Sequence, residues 1–320
     1  MFQYLGPLEL NFPDSNSLAV LYANDVIPIT KPRSPQNPRN RPLRNRPLMS
    51  QQSNKWQAPR ICWQANEAHE PETDSSLRGA SLNLPDCQSA SDKSISDDNN
   101  WVLGADAQGL FLKTSNNLIL RSDFGRDNAT VRTAQSGFIH DTFSKAIGIP
   151  RLKKSLSRLP RIIDATGGLG QDAMTLVSLG CDVTVIERHP ILHCLLADMI
   201  CSEQHAKVVN DDSNDALKIT AIAFKADVIY LDPMYPQQKR RGKSKKGMQV
   251  LHELLGPDVN NDSLLPAALD ACRECNGFRV VVKRPKGATP LVGHDGWQGQ
   301  KTCIESPNTR YDIYHHRPLG

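Results

Sequence analysis

The stretch RIIDATGGLGQDA, residues 161–173, sends an apolar strand into a cluster of three glycines and straight on into a polar run of helical character. A strand that hands over to a helix cannot reach its next strand through a tight hairpin, so the chain must cross over and lay its strands parallel. The pattern repeats downstream. A helix over about 171–179 leads to DVTVIE, the helical ILHCLLADMICSEQ leads to AKVVN, and a short helix after Asp212 leads to DVIYLD. A further helix near 262–275 precedes FRVVVKR, with KTCIE and YDIYHH as two weaker strands. Right-handed crossovers of this kind build a doubly wound, Rossmann-like α/β sheet. In its usual order the fourth strand lies beside the first, and ligands bind at the switch point between them.

The chain before this domain, 151–320, is less regular. Residues 1–30 hold one strand, SLAVLYA. Residues 31–60 then carry eight Lys or Arg, six Pro and no acid, while 61–100 carry eight acids and two basic residues among many Ser, Asn and Gln. Such a composition buries too little apolar surface to offset chain entropy, so 31–100 is expected to be an extended, largely disordered insert. Order resumes at 101–150 with a hairpin, GLFLKT and NLILRSD joined through an Asn-containing turn, and a helix, DTFSKAIGI. A basic connector from Arg151 to Arg161 follows.

Bulk properties exclude several classes. The net charge of +4, from 38 Lys and Arg against 34 Asp and Glu, permits a polyanionic partner without demanding one. Of eight cysteines only Cys272 and Cys275 form a CxxC pair, and no second pair completes a four-ligand zinc site; the helical context reads as packing. The nine histidines show no metal-ligand spacing, and HExxH, GxSxG and Walker A patterns are missing, so no metal is assigned. No basic-then-apolar leader and no apolar run near 18 residues occurs, which leads to the expectation of a reduced, cytoplasmic protein without a membrane span.

Strand, glycine turn and helix start together suit a phosphate or an adenosine-like ligand, since glycine admits close backbone approach and the helix start offers unpaired N–H groups. GLGQDA fits GxGxxA through Gly168 and Gly170, and Glu187 ends the next strand 17 residues after Gly170, as in a nicotinamide site. Two carboxylates favour S-adenosylmethionine instead. Asp164 ends the first strand, where it would repel a diphosphate but suits a cationic ligand, and Asp172 lies just inside the helix start. Glu187 suits either cofactor, because a carboxylate takes both ribose hydroxyls.

The second motif is VIYLDPMYP, residues 228–236, an apolar strand ending in Asp-Pro-Met-Tyr-Pro. With this fourth strand beside the first, Asp232 and Asp164 open onto one crevice. Tyr235 would lie against a flat heterocycle, a contact worth about 1–3 kcal/mol per base. A base amine is a poor nucleophile, so holding its N–H groups on Asp232 supplies rate through positioning. With a reference pKa of about 3.9 Asp232 is a weak base, and proton loss should accompany or follow methyl transfer.

With these motifs the chain resembles the small-subunit ribosomal RNA methyltransferase J family, which methylates the exocyclic N2 of a guanine in 16S rRNA. The resemblance runs from about Leu118 to His316 through IIDATGGLGQDA, LGCDVTVIERHP, VIYLDPMYP, LLGPD, VVVKRP and RYDIY. It implies the class I methyltransferase fold with S-adenosylmethionine as cofactor. It also places donor-binding positions on Gln171, Asp172, Glu187, Arg188, Asp212, Ser213 and Asp232. The chain departs from the family at Gln171, where Arg is frequent, and at Asp212, where a small hydroxyl residue is frequent. Upstream, VRTAQSGF keeps only Arg132 and Gly137 of a basic and glycine-rich stretch, and Arg132 is taken as an RNA contact.

KRRGKSKK, residues 239–246, places six cations in eight residues directly after the second motif. Lys239, Arg240, Arg241 and Lys243 are therefore expected on RNA phosphates, with Lys283 and Arg284 reaching the same crevice from the end of RVVV. The leading function is methylation of a 16S rRNA guanine amine on the small ribosomal subunit. A nicotinamide-dependent oxidoreductase and a catalytically silent RNA-binding protein of the same fold are the alternatives. Oligomeric state leaves no mark on the sequence.

Overall fold

The structure, a computed structural model, describes residues 19–22, 60–64, 88–89, 100–123, 141–234, 246–256, 263–291 and 297–319. Two sheets share one intervening helix. The first comprises β1 (Ala19–Tyr22), β2 (Arg60–Gln64), β3 (Gln88–Ser89), β4 (Asn100–Asp106), β5 (Gly109–Lys113) and β6 (Ile119–Arg121), in the order β3-β1-β2-β4-β5-β6. The expected hairpin is β5 with β6, antiparallel, and Asn117 takes the left-handed φ of 62° in its turn, which Asn tolerates better than most residues. β2 and β3 fall inside 31–100. At those positions the chain, expected to be an extended and largely disordered insert, is paired strand. Within it RICWQ supplies Ile61, Cys62 and Trp63, a short β-prone run that the surrounding polar composition conceals.

Helices α1 (Thr142–Ile147) and α2 (Ile149–Ser155) follow. α2 corrects the connector reading: Pro150 sits in its first turn and Leu152 is fully buried, so the basic stretch begins as a docked helix. The second sheet is built from β7 (Arg161–Asp164), β8 (Asp182–Glu187), β9 (Ala206–Asn210), β10 (Val228–Leu231), β11 (Arg279–Pro285), β12 (Lys301–Glu305) and β13 (Thr309–His315). The intervening helices are α3 (Gln171–Ser178), α4 (Pro190–Ile200), α5 (Ser213–Phe224), α6 (Lys246–Leu255) and α7 (Leu264–Glu274).

Strand order is β12-β13-β11-β10-β7-β8-β9. The five strands from β11 to β9 run parallel, and β13 is inserted antiparallel between β11 and β12. As expected, the fourth strand of the domain pairs with its first, with Tyr230 opposite Asp164. Apolar residues continuous along a strand bury both of its faces. Ile162, Val228, Tyr230 and Val281 enter one core with α1 to α4, while Ile163, Ile229, Leu231, Val280 and Val282 enter another with α5 and α7.

α4 is apolar nearly all round because it serves two sheets. Leu196, Met199 and Ile200 face the parallel sheet, whereas Ile191, Leu192, Cys194 and Leu195 meet Trp101, Leu103 and Leu112 of the first. Asp198 of α4 also accepts the Leu110 amide at 3.0 Å, fixing the docking. α6 closes the same core with Val250, Leu251 and Leu254, a helix that the sequence reading did not identify. Cys272 lies in the core with its thiol pushed up to about 12 by burial, which agrees with a packing role for the CxxC. Among the described residues no helix is long and apolar enough to cross a membrane.

Candidate active site at the strand tips

The parallel strands β7, β8 and β10 end side by side, and each delivers a carboxylate at or just past its tip: Asp164, Glu187 and Asp232. The glycine turn between β7 and α3 wraps these ends. Gly167 N–H donates to the Ile186 carbonyl at 3.1 Å and Gly170 N–H to Gly167 at 2.9 Å, which folds the turn back over β8. Gly168 and Gly170 hold φ of 53° and 71°, where side chains are strained.

Their surroundings differ. A Cβ on Gly170 would strike the Met199 methyl and come within 2.6 Å of Leu196, while one on Gly168 would find only the Thr166 carbonyl at 3.8 Å. Gly170→Ala is thus expected to cost about 2–4 kcal/mol, from left-handed strain and overpacking together, and Gly168→Ala about 1–2 kcal/mol from strain. Urea denaturation of both variants measures the difference; equal losses would mean that packing against α4 does not hold the turn.

Hydrogen bonds and ion pairs join Asp164, Asp232 and Asp172 into one network, and Glu187 is held beside it by backbone amides. Asp164, 2% exposed, accepts from the Thr166 amide at 3.0 Å and the Thr166 hydroxyl at 3.2 Å, while Thr166 Oγ1 in turn accepts the Asp232 amide at 2.7 Å. Glu187 accepts the Gly168 and His189 amides, each at 2.7 Å. Asp172 in the first turn of α3 accepts from the buried Tyr230 hydroxyl at 2.6 Å. Lys283, near the end of β11, donates to Asp172 Oδ2 and to Asp232 Oδ2, both at 2.7 Å.

Crowding sets the electrostatics. Burial, then the Asp172 and Asp232 charges, raise the Asp164 carboxyl to about 7 against the Thr166 hydrogen bonds. Burial likewise raises Glu187, against the two amides that favour its charged form. Burial opposes the charge of Lys283, but Asp172 and Asp232 outweigh it and hold the amine above its ordinary range. Lys283 therefore stays an ammonium and is not a proton acceptor.

Most of the cofactor-binding positions read from the sequence lie together here: Asp164, Asp172 and Asp232 share the network, Gly168, Gly170 and Glu187 form the turn and strand tip beside it, and Gln171 opens α3. Ser213 touches it from α5 by donating its hydroxyl to the Ala165 carbonyl at 2.6 Å. Asp212 caps α5, accepting the Asn214 amide at 2.9 Å, and lies 3.6 Å from Arg188 in an exposed ion pair. Two of the residues expected on RNA have partners within the protein. Lys283 is engaged by carboxylates, and Arg284 is 6% exposed with Nη2 donating to the Thr289 carbonyl, because β11 is an interior strand whose end remains covered. Tyr235, Arg132, Lys239, Arg240, Arg241 and Lys243 lie outside the described residues. Thr166, Tyr230 and the linking role of Lys283 escaped sequence reasoning, although a tyrosine within VIYL and a lysine ending RVVV were visible as polar groups on buried strands.

The donor set fits a cation better than a diphosphate. Asp164, Asp172 and Asp232 gather where a dinucleotide would bring its phosphates, whereas an ammonium and a sulfonium are attracted there; Glu187 suits the ribose diol of either ligand. The family model described as "Putative SAM-dependent methyltransferase" matches residues 89–316. A SAM-dependent methyltransferase from Neisseria gonorrhoeae of solved structure shares the fold, with a TM-score of 0.53 at 23% identity over 80% of this chain and 95% of that one. Fold and site therefore define a class I methyltransferase with S-adenosylmethionine as its cofactor.

Relatives named Ribosomal RNA small subunit methyltransferase J narrow this further. The protein of Cellvibrio japonicus is 35% identical over 68% of this chain and 84% of its own length. That of Hydrogenovibrio crunogenus is 46% identical over 50% of this chain, which spans 59% of that relative. The chain belongs to the ribosomal RNA small subunit methyltransferase J family.

Proposed function

We propose that the chain methylates the exocyclic N2 amine of a guanine in 16S rRNA of the small ribosomal subunit. The observation that carries this reading is the placement of Asp232 at the tip of β10, joined through Thr166 to Asp164 and held by Lys283. S-adenosylmethionine, when bound, supplies an electrophilic methyl carbon on a sulfonium. Glu187 and the glycine turn hold its ribose, and Asp164 with Asp172 attract its charged end.

Asp232 accepts the guanine N–H and aims the nitrogen lone pair, so that positioning supplies most of the rate. Its carboxylate is a weak base, and it receives the proton once methylation has made the amine acidic. Tyr235 stacks on the base, and Arg132 with the cations at Lys239, Arg240, Arg241 and Lys243 contacts RNA phosphates. The protein works in the cytoplasm, where its substrate is assembled. Incubating the protein with unmethylated 16S rRNA or small subunits and isotopically labelled donor tests the reading: the label should appear as N2-methylguanosine on nucleoside mass spectrometry. Label in another nucleoside would refute it.

Donor binding should also depend on pH in a stated direction. In the free protein Asp164 titrates at about 7. A cationic ligand favours its ionised form, so affinity for S-adenosylmethionine rises as pH climbs through about 7 and levels above it. With one unit of coupling the gain between pH 6 and 8 should be about fivefold, and about tenfold over the full titration. Calorimetric titration measures it, and Asp164→Asn should remove the dependence.

A further inference from the structure

Lys283 sits where the donor and acceptor halves of the crevice meet. Its ammonium lies 2.7 Å from Asp172, in the first turn of the helix that follows the glycine turn, and 2.7 Å from Asp232, at the tip of β10. The side chain is three-quarters covered, at 26% exposure. Around Asp232 stand Asp164 from β7, Asp172 from α3, Tyr230 from its own strand and Lys283 from β11, with Tyr311 of β13 behind Tyr230. Three carboxylates this close would raise one another's affinity for protons, and a protonated Asp232 would accept an amine hydrogen poorly.

We propose that Lys283 is a positioning residue, which ties the donor-side Asp172 to the acceptor-side Asp232 and keeps Asp232 ionised and aimed at the base amine. This rests on the reading of Asp232 as the group that holds the amine. In this role Lys283 need touch neither reactant. It acts through the two carboxylates, and so links occupancy of one half-site to geometry in the other.

The test is single-turnover methylation of 16S rRNA by Lys283→Met and Lys283→Arg across pH 5.5–9, with saturating donor, beside RNA affinity and thermal melting. Loss of the ammonium raises the carboxylate pKa, so the acidic limb of the rate profile should move up by about 1–3 pH units in Lys283→Met. Its rate at pH 7 should fall at least tenfold while RNA affinity holds. Lys283→Arg keeps the charge and should keep the wild-type limb even where its rate is lower.

An unshifted limb in Lys283→Met with only a lower melting temperature would make the residue a fold staple and overturn the proposal. A retained rate with weaker, less salt-sensitive RNA binding would make it a phosphate contact and overturn it equally. A shifted limb in Lys283→Arg would also refute it, and that variant decides the matter if the methionine form does not fold. Should Asp232→Ala keep methyl transfer, the underlying reading fails; an inactive Asp232→Ala beside a wild-type profile for Lys283→Met confines the failure to Lys283.

Discussion

Asp232→Ala is expected to lower the single-turnover rate of methyl transfer by about 10²–10⁴-fold while leaving RNA affinity within about twofold, since a positioned polar group contributes on this scale and phosphate contacts supply most RNA binding. The asymmetry follows from where Asp232 stands. Its amide is anchored on Thr166 at 2.7 Å and its carboxylate on Lys283 at 2.7 Å, so backbone and side chain are both fixed at the β10 tip. Truncation removes the acceptor for the amine but leaves Lys283 paired with Asp172, and the fold should survive. Rapid-quench assays with labelled donor, alongside filter binding of 16S rRNA, separate the two quantities. A variant that binds RNA normally and methylates at more than a tenth of the wild-type rate would show that the amine is held elsewhere.

Glu187→Ala should weaken donor binding by about 10²-fold. Charge-assisted hydrogen bonds contribute about 1.5–3 kcal/mol each, and a ribose diol makes two. The carboxylate is 7% exposed and already oriented by the Gly168 and His189 amides, so little ordering is required when hydroxyls arrive. The same truncation orphans those two N–H groups, which should cost about 1–3 kcal/mol of stability. Glu187→Gln keeps an acceptor oxygen and should lose only about tenfold. Calorimetry with S-adenosylhomocysteine at pH 8, with melting curves of both variants, provides the comparison; an Ala variant within twofold of wild type would place the ribose away from β8.

Much of this site was legible in the chain because its parts are local. Apolar runs closed by an acid, as in RIIDA, DVTVIE and VIYLD, mark strand tips, and the βα alternation implies which tips are neighbours. The glycines announced a turn, although only the fold explains why a side chain at Gly170 would be crowded: Leu196 and Met199 come from a helix some thirty residues away.

What stayed hidden depends on contacts between distant residues. Lys283 reads as a cation that reaches the crevice toward RNA, yet its ammonium is paired with two carboxylates, Asp172 and Asp232, from other elements. Thr166 is one hydroxyl among many until its bridge from Asp164 to Asp232 is seen. α6 begins directly behind a cationic run whose charge masks the apolar spacing of Val250, Leu251 and Leu254. β2 was lost for a related reason, as five residues vanish in the average over a long polar insert.

The central claim concerns where the cofactor lies, and a crystal structure of the protein with S-adenosylhomocysteine tests it most directly. The ribose hydroxyls should rest on Glu187, with the amino acid end at the glycine turn near Asp164 and the sulfur facing Asp232 across the tips of β7 and β10. A ligand seated outside these strand tips, or an Asp232 carboxylate turned away from the sulfur, would contradict the account.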